Sequence, residues 1–292
     1  MTVCIAAMCL QGDKPAIIGA SDRMFTAGDI VEFEPDKTKI ANLHKKVVAL
    51  VAGSSAAQES ILQNVTERIK AEKLTRVKDI AEAYSEELIK VRLRKAEQEF
   101  LNPIGLDLKV FLEEIKKESS SDILSDLVCK MSRYRLGVET IIAGLDDVGA
   151  HLFEVSDTSE PNASAVPHNA AGFVAIGSGG FHASSQFMFQ RYNGLWELSQ
   201  ALFLTYKAKR HSEISPGVGK MTDVFVINDF EPYYYASKEF PNNPDTDLDK
   251  IKQIYEKSET VKKMADTTAY KETNDLLESH RNQQNQSQEK KS

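Results

Sequence analysis

Near the start of the chain, TVCIAAMCL and AIIGAS are two apolar runs separated only by a short polar link. Gly12, Asp13 and Pro15 in that link are turn residues. Glycine accepts positive φ, proline pre-sets its own φ, and aspartate bonds the neighbouring backbone. Two strands joined this closely form an antiparallel hairpin. A parallel pair would need a crossover of about a dozen residues or more, for which the link has no room.

The same pattern recurs further on. KKVVALVAG reads as a buried strand ending at Gly53, and ETIIAGLDDVGAHLFEVS as a second hairpin that turns at Asp146, Asp147, Val148 and Gly149. IVEFEP and TKIANL suggest another short antiparallel pair. The segment after Ser54 and Ser55 looks helical, with one of those serines as its cap. In VKDIAEAYSEELIKVRLRKAEQEF, Val77, Ile80, Tyr84, Leu88 and Val91 recur at helical spacing. Asn102 to Gly105 breaks that helix, and two shorter helical segments follow near 107–117 and 121–132. FVAIGSGG is a strand entering a glycine-rich turn, two helices come next, and MTDVFVIND is a last core strand.

Strands and helices thus fall in blocks, which predicts an α+β fold of antiparallel sheets packed against layers of helices, and not a βαβ arrangement. One domain is expected over 2–229, with an extended helical region near 58–137. Residues 230–267 read as a helical extension. The tail 268–292 holds too few apolar groups to offset the entropy of ordering it and is expected to be disordered.

Composition narrows the function. The net charge is −7 with no long cationic stripe, so nucleic acid is not an expected partner. No apolar run is long enough to span a membrane. Asp13 and Lys14 interrupt the first apolar run too early for a signal peptide. Cys4, Cys9 and Cys129 fit neither a disulfide framework nor a zinc site, which favours a reducing, cytoplasmic setting. The six histidines show no metal-ligand spacing, and neither metal nor cofactor is expected.

Thr2 follows Met1 directly. Removal of Met1 would leave a residue with both a hydroxyl and a free α-amine, which together supply a nucleophile and its base. Four stretches bear on this: the start at Thr2, GASDRMFTAGDIV (19–31), TKI with VALVAGSSAA (38–57), and TIIAGLDDVGAHLFEVS with FVAIGSGG (140–180). In their order and spacing they resemble the proteasome β-subunits of the N-terminal-nucleophile hydrolase superfamily and the related bacterial proteasome-like peptidases.

The resemblance implies a four-layer αββα sandwich of two antiparallel sheets flanked by helices, and a threonine endopeptidase acting through an acyl-enzyme on Thr2. It implies that Lys39 sits beside the threonine hydroxyl and favours its deprotonation, with Asp22 holding the lysine. Lys37 is the rival. An apolar residue after Lys39, and Gly53 fourteen positions on, favour Lys39. Gly53 would present its N–H to the oxyanion, and Ser178 would order the amine. Thr26 and Met24 would meet substrate. Arg23 stands one place from where many such subunits carry an arginine, Ala57 replaces a frequent acid, and Glu213 and Ser215 take no role because their register is unclear. The expected partners are a peptide or unfolded protein as substrate, further copies of the chain in a ring, and an ATP-dependent unfoldase. An inactive ring subunit and a small-molecule amidase are the alternatives. Thr2, Asp22, Lys39 and Gly53 occurring together count against the former.

Overall fold

The computed structural model describes residues 2–27, 31–35, 37–117, 122–158, 163–229, 233–235 and 246–289. The chain forms two compact units, Met1–Pro244 and Asp245–Ser292. In the first, β1 (Cys4–Gln11) and β2 (Lys14–Asp22) are the expected hairpin. The short strands β3 (Phe25–Ala27) and β4 (Val31–Phe33) follow, then β5 (Ile40–His44) and β6 (Val47–Gly53). The helical region holds α1 (Ser55–Glu72), α2 (Val77–Phe100), α3 (Leu108–Lys117) and α4 (Asp122–Arg133). Next come β7 (Val138–Leu145), β8 (Ala150–Ser156), β9 (Val166–Pro167), β10 (Phe173–Ile176), α5 (Gly180–Phe189), α6 (Leu198–Ser212), β11 (Thr222–Ile227) and β12 (Tyr233–Tyr235).

Two five-stranded sheets carry the unit, in the orders β10-β1-β2-β11-β12 and β5-β6-β7-β8-β9. Every pairing between these strands is antiparallel. The alternation along β6 shows how the layers stack. Val48, Leu50 and Ala52 join a core with Cys4, Ile17, Val174 and Phe225 of the other sheet. Val47 and Ala49 point the opposite way, into a core with Ile61 and Val65 of α1 and Ile80, Tyr84 and Leu88 of α2. Side chains one position apart on a strand leave on opposite faces, so one strand serves both cores. On the first sheet, α6 lies along β1 and β2, and α5 packs on α6. The unit is a mixed α+β structure compatible with a sandwich of two antiparallel sheets.

Three features depart from the sequence reading. IVEFEP and TKIANL do not pair with each other: β4 pairs with β3, and β5 pairs with β6. The Lys45-Lys46 turn places Ile40–His44 beside a long buried strand, which offers more ladder and core than a three-residue partner does. The sheet also reaches past residue 229, because β12 adds to β11. Finally, the second unit is a helix, α7 (Thr246–Glu289), which runs through the boundary drawn at 268. Its residues 268–289 contain no proline or glycine, and their three Glu, four Gln and two Leu have high helix propensity. Composition measured burial there, not local propensity.

Candidate active site

The β1–β2 turn sets the register Cys4↔Ser21. One step further, Val3 stands opposite Asp22, and the Asp22 N–H donates to the Val3 carbonyl at 3.2 Å. Thr2, just before β1, therefore arrives beside the last residue of β2. Its hydroxyl donates to Asp22 Oδ1 and accepts from Lys39 Nζ. Lys39 Nζ also donates to Asp22 Oδ1 at 3.0 Å. All three residues are buried.

Asp22 is held from several sides. Oδ1 accepts the Val3 N–H at 2.9 Å, and Oδ2 accepts the Met24 N–H at 3.0 Å and the Gly219 N–H at 2.9 Å. A buried carboxylate with this many donors is fixed in orientation. Lys39 lies just before β5, where its carbonyl accepts the Val51 N–H at 3.0 Å. The ammonium stands 5.6 Å from the centre of the Phe25 ring, over its face. Lys37 is exposed and makes none of these contacts.

Ser178 meets the other side of Thr2. Its hydroxyl accepts the Thr2 N–H at 3.2 Å and lies 3.3 Å from the Thr2 carbonyl oxygen, which also accepts the Gly179 N–H at 3.1 Å. The turn is packed tightly. Gly177 has φ +84°, and a Cβ there would stand 2.4 Å from the Thr2 carbonyl oxygen. Gly53 ends β6 with φ +94°, and a Cβ there would fall 1.8 Å from the Gly137 carbonyl oxygen. Only glycine fits either place.

Thr2, Met24, Phe25, Lys39, Gly53 and Gln58, among others, line a cavity of about 200 Å³. A second hollow of about 550 Å³ shares Phe25, Lys39, Val51, Ser55 and Gln58 with it, and Lys37, Glu59 and Leu62 extend its walls. Thr2, Asp22, Lys39, Gly53 and Ser178, separated by up to 176 positions, thus converge on one place, with Met24 on the cavity wall. The backbone of Thr26 pairs with Glu32 in β3–β4, while its side chain lies outside the described residues. Ser54 occupies the N-cap of α1 without a side-chain cap bond.

Cys4 lies next to the site, but burial pushes its thiol up to about 12 against the smaller pull of Lys39. At neutral pH it is a packed thiol and not a nucleophile. Among the described residues no group of three or more His, Cys, Asp and Glu side chains could hold a metal ion. No helix among them is long and apolar enough to cross a membrane.

Several supporting residues carried no sequence signal. Lys209 is fully buried and donates to Glu213 at 2.7 Å and to the carbonyls of Gly219 and Lys220 at 2.9 and 3.0 Å, which holds the loop that gives Asp22 its Gly219 N–H. Burial lowers the Lys209 pKa, with Glu213 opposing. Arg23 forms a buried pair with Asp223. Glu139 accepts the Gly177 N–H at 2.7 Å. Serine, lysine and glutamate at such separations announce nothing; only the strand register brings them together. A scan against protein-family models gives no match, and a search of curated proteins gives none either.

Proposed function

We propose that this chain is a threonine-type N-terminal-nucleophile peptidase, with the four-layer αββα fold of that superfamily. The observation that carries the reading is the triangle of Thr2 Oγ1, Lys39 Nζ and Asp22 Oδ1, of which Thr2 and Lys39 line a cavity. Removal of Met1 frees an α-amine whose ordinary pKa is near 8, close to working pH. Thr2 Oγ1 then attacks the carbonyl carbon of a peptide bond and its proton passes to that amine. The carbonyl electron pair moves onto oxygen, where the Gly53 N–H meets it. Collapse breaks the C–N bond, the leaving amine takes the proton, and an ester remains on Thr2. Water gives a proton to the α-amine and attacks the ester. Thr2 leaves with the proton and the acid product departs.

Lys39 favours the deprotonated hydroxyl by its charge, and Asp22 keeps Lys39 in place. The substrate is a peptide or unfolded protein chain, and the two adjoining hollows offer room for its side chains. A homo-oligomeric ring suits the exposed apolar residues Phe181, Phe189 and Leu195 on and after α5. The three free cysteines suit a reducing, cytoplasmic setting. An ATP-dependent unfoldase is the partner such a ring would need for folded substrates.

The test is hydrolysis of fluorogenic peptides by wild type and Thr2→Ser, with Thr2→Ala as the blank. Retention of Met1 in most molecules, or equal activity in Thr2→Ala, refutes the reading. Light scattering tests the ring: a monodisperse monomer at micromolar concentration counts against a protease and favours a small-molecule amidase.

A further inference from the structure

We propose that Gln58, oriented by Tyr84, is a positioning residue that aims the Gly53 N–H at the oxyanion; this rests on the peptidase reading above. Gln58 on α1, which lines the cavity, forms a buried polar cluster with Tyr84 on α2 and Thr140 on β7. Gln58 Nε2 donates to the Ala52 carbonyl at 3.1 Å, the Glu139 carbonyl at 3.2 Å and Thr140 Oγ1 at 3.0 Å. Carbonyl oxygens only accept, so the NH2 end of the amide must face them. That leaves Oε1 toward Tyr84, whose hydroxyl donates to it and lies 2.9 Å from Thr140 Oγ1. Burial raises the phenol's pKa above its usual value, so it remains a donor across the working range. The two Nε2 protons are shared among three acceptors, and the Thr140 hydroxyl, 3.4 Å from Gln58 Oε1, completes the cluster.

Its consequence falls on a single peptide plane. The Ala52 carbonyl and the Gly53 N–H belong to the same peptide, which is trans, and in a trans peptide the two point in opposite directions. Gln58 pins the carbonyl on the β7 side, so the N–H points toward the β5 edge. Strand alternation agrees, because the Val51 N–H, two residues earlier, donates to the Lys39 carbonyl on that edge. Since β5 begins at Ile40, the edge beyond Lys39 opens into the cavity that Gly53 and Thr2 share. Gly53 has no side chain and a positive φ, and its peptide is held on the β7 side by the pairing of Ala52 with Glu139 and, beyond that, by Gln58. Tyr84 sits about two turns into α2 and thereby ties the long helical region to the chemistry.

The experiment compares Tyr84→Phe and Gln58→Met with wild type in three measurements: steady-state hydrolysis of a fluorogenic peptide, inhibition by a peptide boronate, and thermal melting. A boronate forms a tetrahedral adduct that loads the oxyanion position. Gln58→Met is expected to lower kcat about 10- to 100-fold with KM within about twofold, a share of what loss of an oxyanion donor costs. Tyr84→Phe is expected to lower kcat about fivefold, the worth of one neutral hydrogen bond. Boronate affinity should weaken by the same factors. If Gln58→Met fails to fold, the milder Tyr84→Phe still decides. Unchanged kcat, or a rise in KM with boronate affinity unmoved, overturns the inference while the peptidase reading stands. A wild type that neither cleaves peptides nor binds the boronate overturns both.

Discussion

Gly177→Ala should disable Thr2, the nucleophile proposed above, with little damage to the fold. An ideal Cβ on residue 177 would lie 2.4 Å from the Thr2 carbonyl oxygen and 2.7 Å from Thr2 Cγ2, where ordinary contact starts at 3.4 Å. Something must move by about 1 Å, the difference between those distances, and Thr2 is the residue in the way. A displacement of about 1 Å in a reacting group costs on the order of 100-fold in rate. The backbone adds its own cost. At φ +84° an alanine is strained by about 1–2 kcal/mol. With the displaced contacts, a total of roughly 2–3 kcal/mol lowers the Tm of a unit this size by about 4–12 °C. Gly12→Ala is the control, because Gly12 has φ +62° but nothing within 4 Å of its added Cβ. It should lower Tm by a few degrees and leave activity unchanged. The assay pairs differential scanning fluorimetry with the rate of Thr2 acylation by a peptide β-lactone. Acylation of Gly177→Ala at the wild-type rate, or an equal activity loss in Gly12→Ala, would refute the reasoning.

Three other outcomes are expected. Thr2→Ala and Lys39→Ala should each abolish peptide hydrolysis and the double variant should lose little more, since groups acting as a unit are not additive; Lys37→Ala should retain activity, and the reverse pattern would move the site to Lys37. Burial works to raise the Asp146 carboxyl's pKa, but the N–H groups of Val77, Val148 and Gly149 and the nearby His151 hold it below its usual value. Its stabilisation is therefore complete above the unfolded value near 4 and lost as pH falls through the lower folded value, so chemical melts of wild type and Asp146→Asn should differ most above pH 5 and converge near pH 2. A chain ending at Thr268 should match full length in Tm and peptide cleavage, because residues 268–273 are exposed.

The parts of the structure that were legible in the sequence are those fixed locally. Gly12-Asp13 and Asp146 to Gly149 marked the β1–β2 and β7–β8 hairpins, and the spacing of Val77, Ile80, Tyr84 and Leu88 marked α2. The pairing of β5 with β6 was missed because two adjacent short runs compete for partners, and core burial decides between them. Within the site, Thr2 and Asp22 follow from the hairpin: once the turn is placed at residues 12 and 13, the register puts residue 22 beside the start of β1. Lys39, just before β5, and Ser178, in the turn after β10, come from other parts of the chain and needed the family resemblance. Gly177 stood in the quoted FVAIGSGG turn without a role of its own, and nothing announced Gln58, Lys209 or Gly219. Their roles come from contacts across the sheets, and Tyr84 read only as a core residue because its apolar ring follows the helical period while its hydroxyl does not show in it.

The most direct test is intact mass and peptide mapping after reaction of purified full-length protein with a peptide β-lactone. The account predicts loss of Met1 and one adduct, located on Thr2 and absent from Thr2→Ala. Retained Met1 with no adduct, or an adduct on Cys4 or Ser178 in its place, would contradict it.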